Sequence, residues 1–91
     1  MYHPQIETLI QVADAGSFSK AAERMHITPV SVMNQINAME KRVGVRLFER
    51  TNQGGELTKA GQSIYRDAKQ IIADSDAAIE RAKKLQVLSS L

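Results

Sequence analysis

Apolar residues recur at helical spacing along most of the chain, and the gaps between them hold helix-start and helix-stop residues. Over Gln5 to Ala15 the stripe is Ile6, Leu9, Ile10 and Ala13, with Pro4 suited to the first turn and Gly16 to the stop. Ser17-Phe18-Ser19 follows. Ser19 is a good N-cap for a short second helix, Lys20 to Met25, because its hydroxyl can accept from first-turn amides. Ala21 and Ala22 leave room for another helix to cross closely, and Phe18 reads as a plug between helices. After the break at His26-Ile27-Thr28, Thr28 caps a third helix. Pro29 takes its first position, where no amide partner is needed.

The third helix is predicted to run to about Val43, with Gly44 as its C-cap. Its core seam is Val32, Ile36, Met39 and Val43. At about 100° per residue the opposite face holds Val30, Asn34, Asn37 and Lys41, flanked by Ser31 and Met33. Beyond Gly44 the pattern changes. Leu47-Phe48-Glu49-Arg50 and Glu56-Leu57 flank Asn52-Gln53-Gly54-Gly55, whose glycines permit positive φ. A short two-stranded hairpin is expected, anchored on the helices by Leu47, Phe48 and Leu57. Thr58 then caps a long final helix to roughly Leu88, a rod of about 45 Å. A heptad-like trace runs through Gly61, Ile64, Ala68, Ile71, Ser75, Ala78, Ala82 and Leu85, widened by Ile72 and Ile79. Such a rod outruns a three-helix core. It is expected to pair two copies through Ile64, Ala68, Ile71, Ile72, Ser75, Ala78, Ile79 and Ala82; the alternative is a helix packed only on its own domain.

With 91 residues the chain makes one small domain, whose monomer core buries only somewhat more than about 60% of the unfolded surface. It contains no cysteine, which excludes disulfides and thiolate–metal chemistry and fits a reducing compartment. No apolar run approaches a membrane span and the N-terminus has no signal-peptide pattern, so a cytoplasmic, nucleoid-associated protein without a membrane partner is expected. The net charge of +2 is uneven: −1 over residues 1–27, +2 over 28–53 and +1 over 54–91. The excess gathers at Lys41, Arg42, Arg46 and Arg50. A solvated mixed-charge surface would look the same, so charge alone does not choose a partner.

Enzyme readings do poorly. His3 and His26 lack metal-ligand spacing with a carboxylate or a second imidazole, and Asp74 and Asp76 sit two apart on a helix without facing each other. Gly54-Gly55 lacks the strand–loop–helix lysine context of a phosphate loop. No catalytic group, metal or cofactor is expected in this domain.

Helix, short helix, tight turn, helix, hairpin, long helix is the order of a mainly α winged helix-turn-helix: a three-helix core and a two-stranded wing over residues 1–57, then a long linker helix over 58–91. In that architecture the second helix of the pair lies in the major groove with its N-terminal residues at base edges. "AGSFSKAAERMHIT", "QINAMEKRVGVRLFER" and "LTKAG" make the reading much more specific. They resemble the N-terminal DNA-binding domain of LysR-type transcriptional regulators, and the resemblance extends from Ile6 to about Ala82. It implies a dimeric bacterial regulator that binds a partly palindromic operator through its third helix and wing, with the long helix as dimerisation linker. It also implies a larger C-terminal domain that binds a small-molecule effector. The sequence does not encode that domain, so a domain fragment is expected; a naturally short regulator is the alternative. RNA polymerase is a further candidate partner.

The start of the third helix departs from the family pattern. Pro29, Met33 and Asn34 stand where glutamine, serine and arginine are usual; in the wing, Gln53 replaces a basic residue and Gly55 a β-branched one. Asn34 can grip adenine in bidentate fashion while Val30 and Met33 touch thymine methyls, so direct readout is expected to favour A·T pairs. For Met33, packing against the second helix is the alternative. Thr28 and Ser31, beside a helix N-terminus, are placed to bind phosphate, and Pro29, Asn37 and Lys41 complete the candidate surface. Arg50 at the base of the wing could approach phosphate or the minor groove, or pair with Glu49 or Glu56; Asn52 and Gln53 at the tip could reach sugar or phosphate. Ser17 and Ser19 could cap, contact DNA, or do both. The competing function is a protein-interaction module of helix-turn-helix shape without DNA affinity.

Overall fold

The computed structural model describes residues 2–51 and 54–90. Four helices and one hairpin follow in the order α1 (Gln5–Ala15), α2 (Phe18–Met25), α3 (Pro29–Val43), β1 (Phe48–Thr51), β2 (Gly54–Leu57) and α4 (Lys59–Ser89). The helix ends follow local chemistry. Gly16 and Gly44, at φ 84° and 81°, close α1 and α3 in the left-handed conformation that glycine adopts without a steric penalty. Thr28 and Thr58 hold extended backbone and accept, through Oγ1, the Ser31 and Gly61 amides at 3.1 and 3.0 Å.

The second helix starts two residues earlier than the sequence suggests. Ser17, not Ser19, is extended, and its Oγ accepts from the Lys20 amide at 3.1 Å. Ser19 falls inside the first turn. The choice follows from Phe18, which becomes the first helical residue and drops into the core against Phe48, ring centroids 5.8 Å apart. At its other end α2 closes on His26 at φ 58°, with the Ile27 amide donating to the Ala22 carbonyl, so the chain reverses sharply into Thr28 and α3.

Leu9, Val12, Phe18, Ala21, Val32, Ile36, Met39, Leu47 and Phe48 form the centre of the core. On α1 the fully buried face is Thr8, Leu9, Val12 and Ala15, rotated from the predicted stripe, with Ile6 and Ile10 only partly covered. This helix is packed by α2 and α3 and also by α4, so it buries a wider arc than one stripe. Thr8 Oγ1 donates to Gln35 Oε1, which satisfies a buried hydroxyl and ties α1 to α3. Val43, assigned to the seam of α3, is 40% exposed. As the last helical residue it lies past the core and lines an open groove with Ile6, Ile64 and Ile71.

The hairpin pairs antiparallel in the register Phe48↔Leu57, Glu49↔Glu56, Arg50↔Gly55 and Thr51↔Gly54. Both glycines expected in the loop therefore lie in β2. Gly55 is not in the left-handed region; a Cβ there would come 3.0 Å from Phe18 Cε2, so close approach of strand to ring is what the site requires. The Glu40 carboxylate of α3 fixes the start of the wing, accepting the Leu47 and Phe48 amides on Oε2 at 2.7 and 3.1 Å. Thr58 Oγ1 donates to the Arg46 carbonyl, and the Thr58 amide donates to the Leu47 carbonyl. The base of the wing is thus tied both to α3 and to the start of α4.

Helix α4 divides its length between two environments. Its first half joins the core: Ile64 and Tyr65 pack against it, and the Tyr65 hydroxyl donates to Asp14 of α1. Ala68 and Ser75, expected at a contact between copies, are 1% and 5% exposed within the single chain. Their own domain covers them and leaves a second copy almost no surface there. Ile72 and Ala78 are half-buried, whereas Ile71, Ile79 and Ala82 are exposed.

Candidate nucleic-acid interface

The chain from Ser17 to Val43 delivers one continuous exposed surface. Val32, Ile36 and Met39 face the core, so the opposite side of α3 must carry Val30, Asn34, Asn37 and Lys41, all exposed. Val30 is 64% and Met33 39% exposed. Val30 thus stands largely in water at the opening of the helix, and Met33 keeps part of its side chain exposed beside it. Among the described residues the Asn34 amide has no side-chain partner.

The helix opening is itself ordered. The Thr28 hydroxyl is used twice, accepting from the Ser31 amide and donating to Ser31 Oγ at 2.9 Å. The donor left over is the Ser31 hydroxyl proton. Pro29, exposed at the first position, has no N–H to leave unpaired. Ser17 caps α2, and Ser19 and Lys20 are exposed in its first turn. The N-terminal ends of α2 and α3 each present free amides, an arrangement that attracts anions.

Arg50 behaves differently from a free wing cation. Its Nη2 donates to Asn37 Oδ1 at 2.6 Å and to Glu40 Oε1 at 3.0 Å, and its guanidinium lies 5.0 Å from the Phe18 ring centroid. The ion pair is therefore made with α3, not with Glu49 or Glu56. Arg50 faces Gly55 across the hairpin, so its cross-strand partner puts no side chain in its path back to α3. This cross-link was not foreseen; its only local signal is that Asn37 and Glu40 lie three apart, on one edge of a helix. Arg42 is also engaged, donating to Gln5 Oε1 at 3.1 Å, while Lys41 and Arg46 are exposed. Asn52 and Gln53 lie outside the described residues. No three His, Cys, Asp or Glu side chains gather as a metal site among the described residues, and no helix there is long and apolar enough to cross a membrane.

An exposed, capped α3 and a wing clamped to it together make a winged helix-turn-helix. The family model for bacterial regulatory helix-turn-helix proteins of the lysR family matches residues 3–62, which runs from before α1 into α4. The chain belongs to the LysR family. Among LysR-family relatives, the transcriptional regulator TfdT of Cupriavidus pinatubonensis is 46% identical over 69 residues, 76% of this chain and 30% of TfdT. BudR of Raoultella terrigena, also a transcriptional regulator, is 43% identical over 74 residues, 81% of this chain and 26% of BudR. The chain thus spans less than a third of the length of these relatives. The DNA-binding domain of CbnR, solved in complex with DNA, superposes with a TM-score of 0.88 at 34% identity, covering 93% of this chain and 98% of that one.

Proposed function

We propose that this chain is the DNA-binding domain of a dimeric, cytoplasmic transcriptional regulator, recognising operator DNA by sequence. Helix α3 enters the major groove, and the wing lies against the backbone or the minor groove. The observation that carries this is the exposed opening of α3: Val30, Met33 and an Asn34 unengaged among the described residues, on a capped helix, within a fold shared with a domain solved on DNA. Methyl-bearing side chains suit thymine C5-methyl groups, and a free amide suits the adenine N6/N7 edge, so the pairs beneath these three residues are A·T. Phosphate contacts come from the α2 and α3 amino ends, Ser31 and Lys41. The domain needs no cofactor and performs no catalysis; effector binding and contact with RNA polymerase belong to the whole protein. Two copies pair along the exposed apolar row of α4 from Ile71 outward, which sets the spacing of two half-sites.

Titration of DNA at several salt concentrations, followed by selection from random duplexes, tests the reading. Affinity should fall steeply with salt as phosphate-bound counterions are released. Asn34→Ala should cost about 1–3 kcal/mol at one A·T pair and little elsewhere. Absence of saturable binding at low salt would instead leave a protein-interaction module.

A further inference from the structure

We infer that Asn37 meets DNA as a hydrogen-bond donor only, turned that way by Arg50, and that it selects guanine at one operator pair. The inference rests on the DNA-binding reading and adds a specificity rule to it. An arginine guanidinium has donors and no acceptor, so the Asn37 atom 2.6 Å from Arg50 Nη2 must be the carbonyl oxygen. The amide orientation therefore follows from chemistry. Arg50 is in turn held by the Glu40 carboxylate and lies over the Phe18 ring. Glu40, with its side chain only 12% exposed, is anchored by two backbone amides of the wing. Each member of this chain of contacts fixes the next.

Asn37 lies two helical turns beyond Val30 on the same exposed face of α3. With Oδ1 turned toward a cation, what it offers outward is the Nδ2 amino group. A bidentate grip on adenine needs both the carbonyl and the amino group at the base edge. With one Oδ1 lone pair already on Arg50, that grip would need the second to face the base edge beside Nδ2. An amino group alone is best matched by guanine, which presents two adjacent acceptors, N7 and O6, and is repelled by the cytosine N4 amino group. Asn34, whose amide is unengaged among the described residues, keeps the adenine option. Two asparagines on one helix face thus read different bases because only one touches Arg50.

Selection from random DNA with three forms of the chain decides the point. The natural sequence should enrich guanine at one pair. Asn37→Asp keeps an acceptor for Arg50 but offers DNA only lone pairs, and should move that pair toward cytosine by about tenfold. Arg50→Met frees the Asn37 amide and should move the same pair toward adenine, with the pairs under Val30, Met33 and Asn34 unchanged. Loss of affinity with unaltered preference at every pair in Asn37→Asp would overturn the inference, even if Arg50→Met failed to fold. Absence of any sequence preference in the natural form would overturn the DNA-reading itself, a separate and distinguishable result.

Discussion

Gly61 occupies a point where α4 nearly touches the start of the wing. A Cβ there would run into the Leu47 carbonyl and lie 2.9 Å from Leu57 Cδ2. Leu47 cannot move away freely, because its amide is bound by Glu40 and its carbonyl accepts from the Thr58 amide. In an exposed helix Gly→Ala would stabilise by about 1 kcal/mol. Here overpacking against backbone outweighs that gain, and Gly61→Ala should destabilise by about 1–3 kcal/mol. Urea unfolding measures it; a raised midpoint would mean that the approach of α4 to Leu47 is looser than described. Gly55 faces a milder version, since its obstacle is the edge of the Phe18 ring.

Among the elements, α3 was the most legible in the sequence and the wing the least. Thr28, Pro29 and Gly44 act on amides and carbonyls within four residues, so their effect can be read from local order alone. The two serines around Phe18 could not be separated in that way. Both cap well, and the choice depends on Phe18 reaching Phe48, thirty residues along the chain. Arg50 was harder still. Its partners sit on α3, and reaching them depends on a hairpin register that places Gly55 opposite. The heptad-like spacing of α4 predicts one seam, yet its first half is spent on α1 within the chain. Ser75 shows the consequence: its hydroxyl is buried and has no hydrogen-bond partner among the described residues. Removing an unsatisfied buried hydroxyl while improving helix propensity should help, so Ser75→Ala should stabilise by about 1 kcal/mol. A drop in thermal midpoint would show that the hydroxyl has a bonding role.

At the scale of the molecule, α4 projects well past the core and stretches the protein to 58 Å in one direction against 26 and 19 Å in the others. Ile71, Ile79, Leu85, Val87 and Leu88 are large apolar side chains left exposed along it. A soluble monomer gains nothing from that row, whereas a second copy could cover it. In a two-fold pair every substitution counts twice. Ile71 and Ile79 are each about half-exposed, so covering one gains about 1 kcal/mol, and the four in a pair gain about 4 kcal/mol. Ile71→Glu combined with Ile79→Glu should therefore weaken self-association by roughly three powers of ten while sparing the fold, because neither side chain belongs to the core. Sedimentation across a concentration series reads the change, and thermal unfolding of the separated chains checks the fold. Binding to DNA carrying two half-sites should fall with it, while binding to a single half-site should hold. A dissociation constant moved by less than tenfold would place the contact between copies elsewhere, and α4 would be a rod that spaces the domain without pairing it.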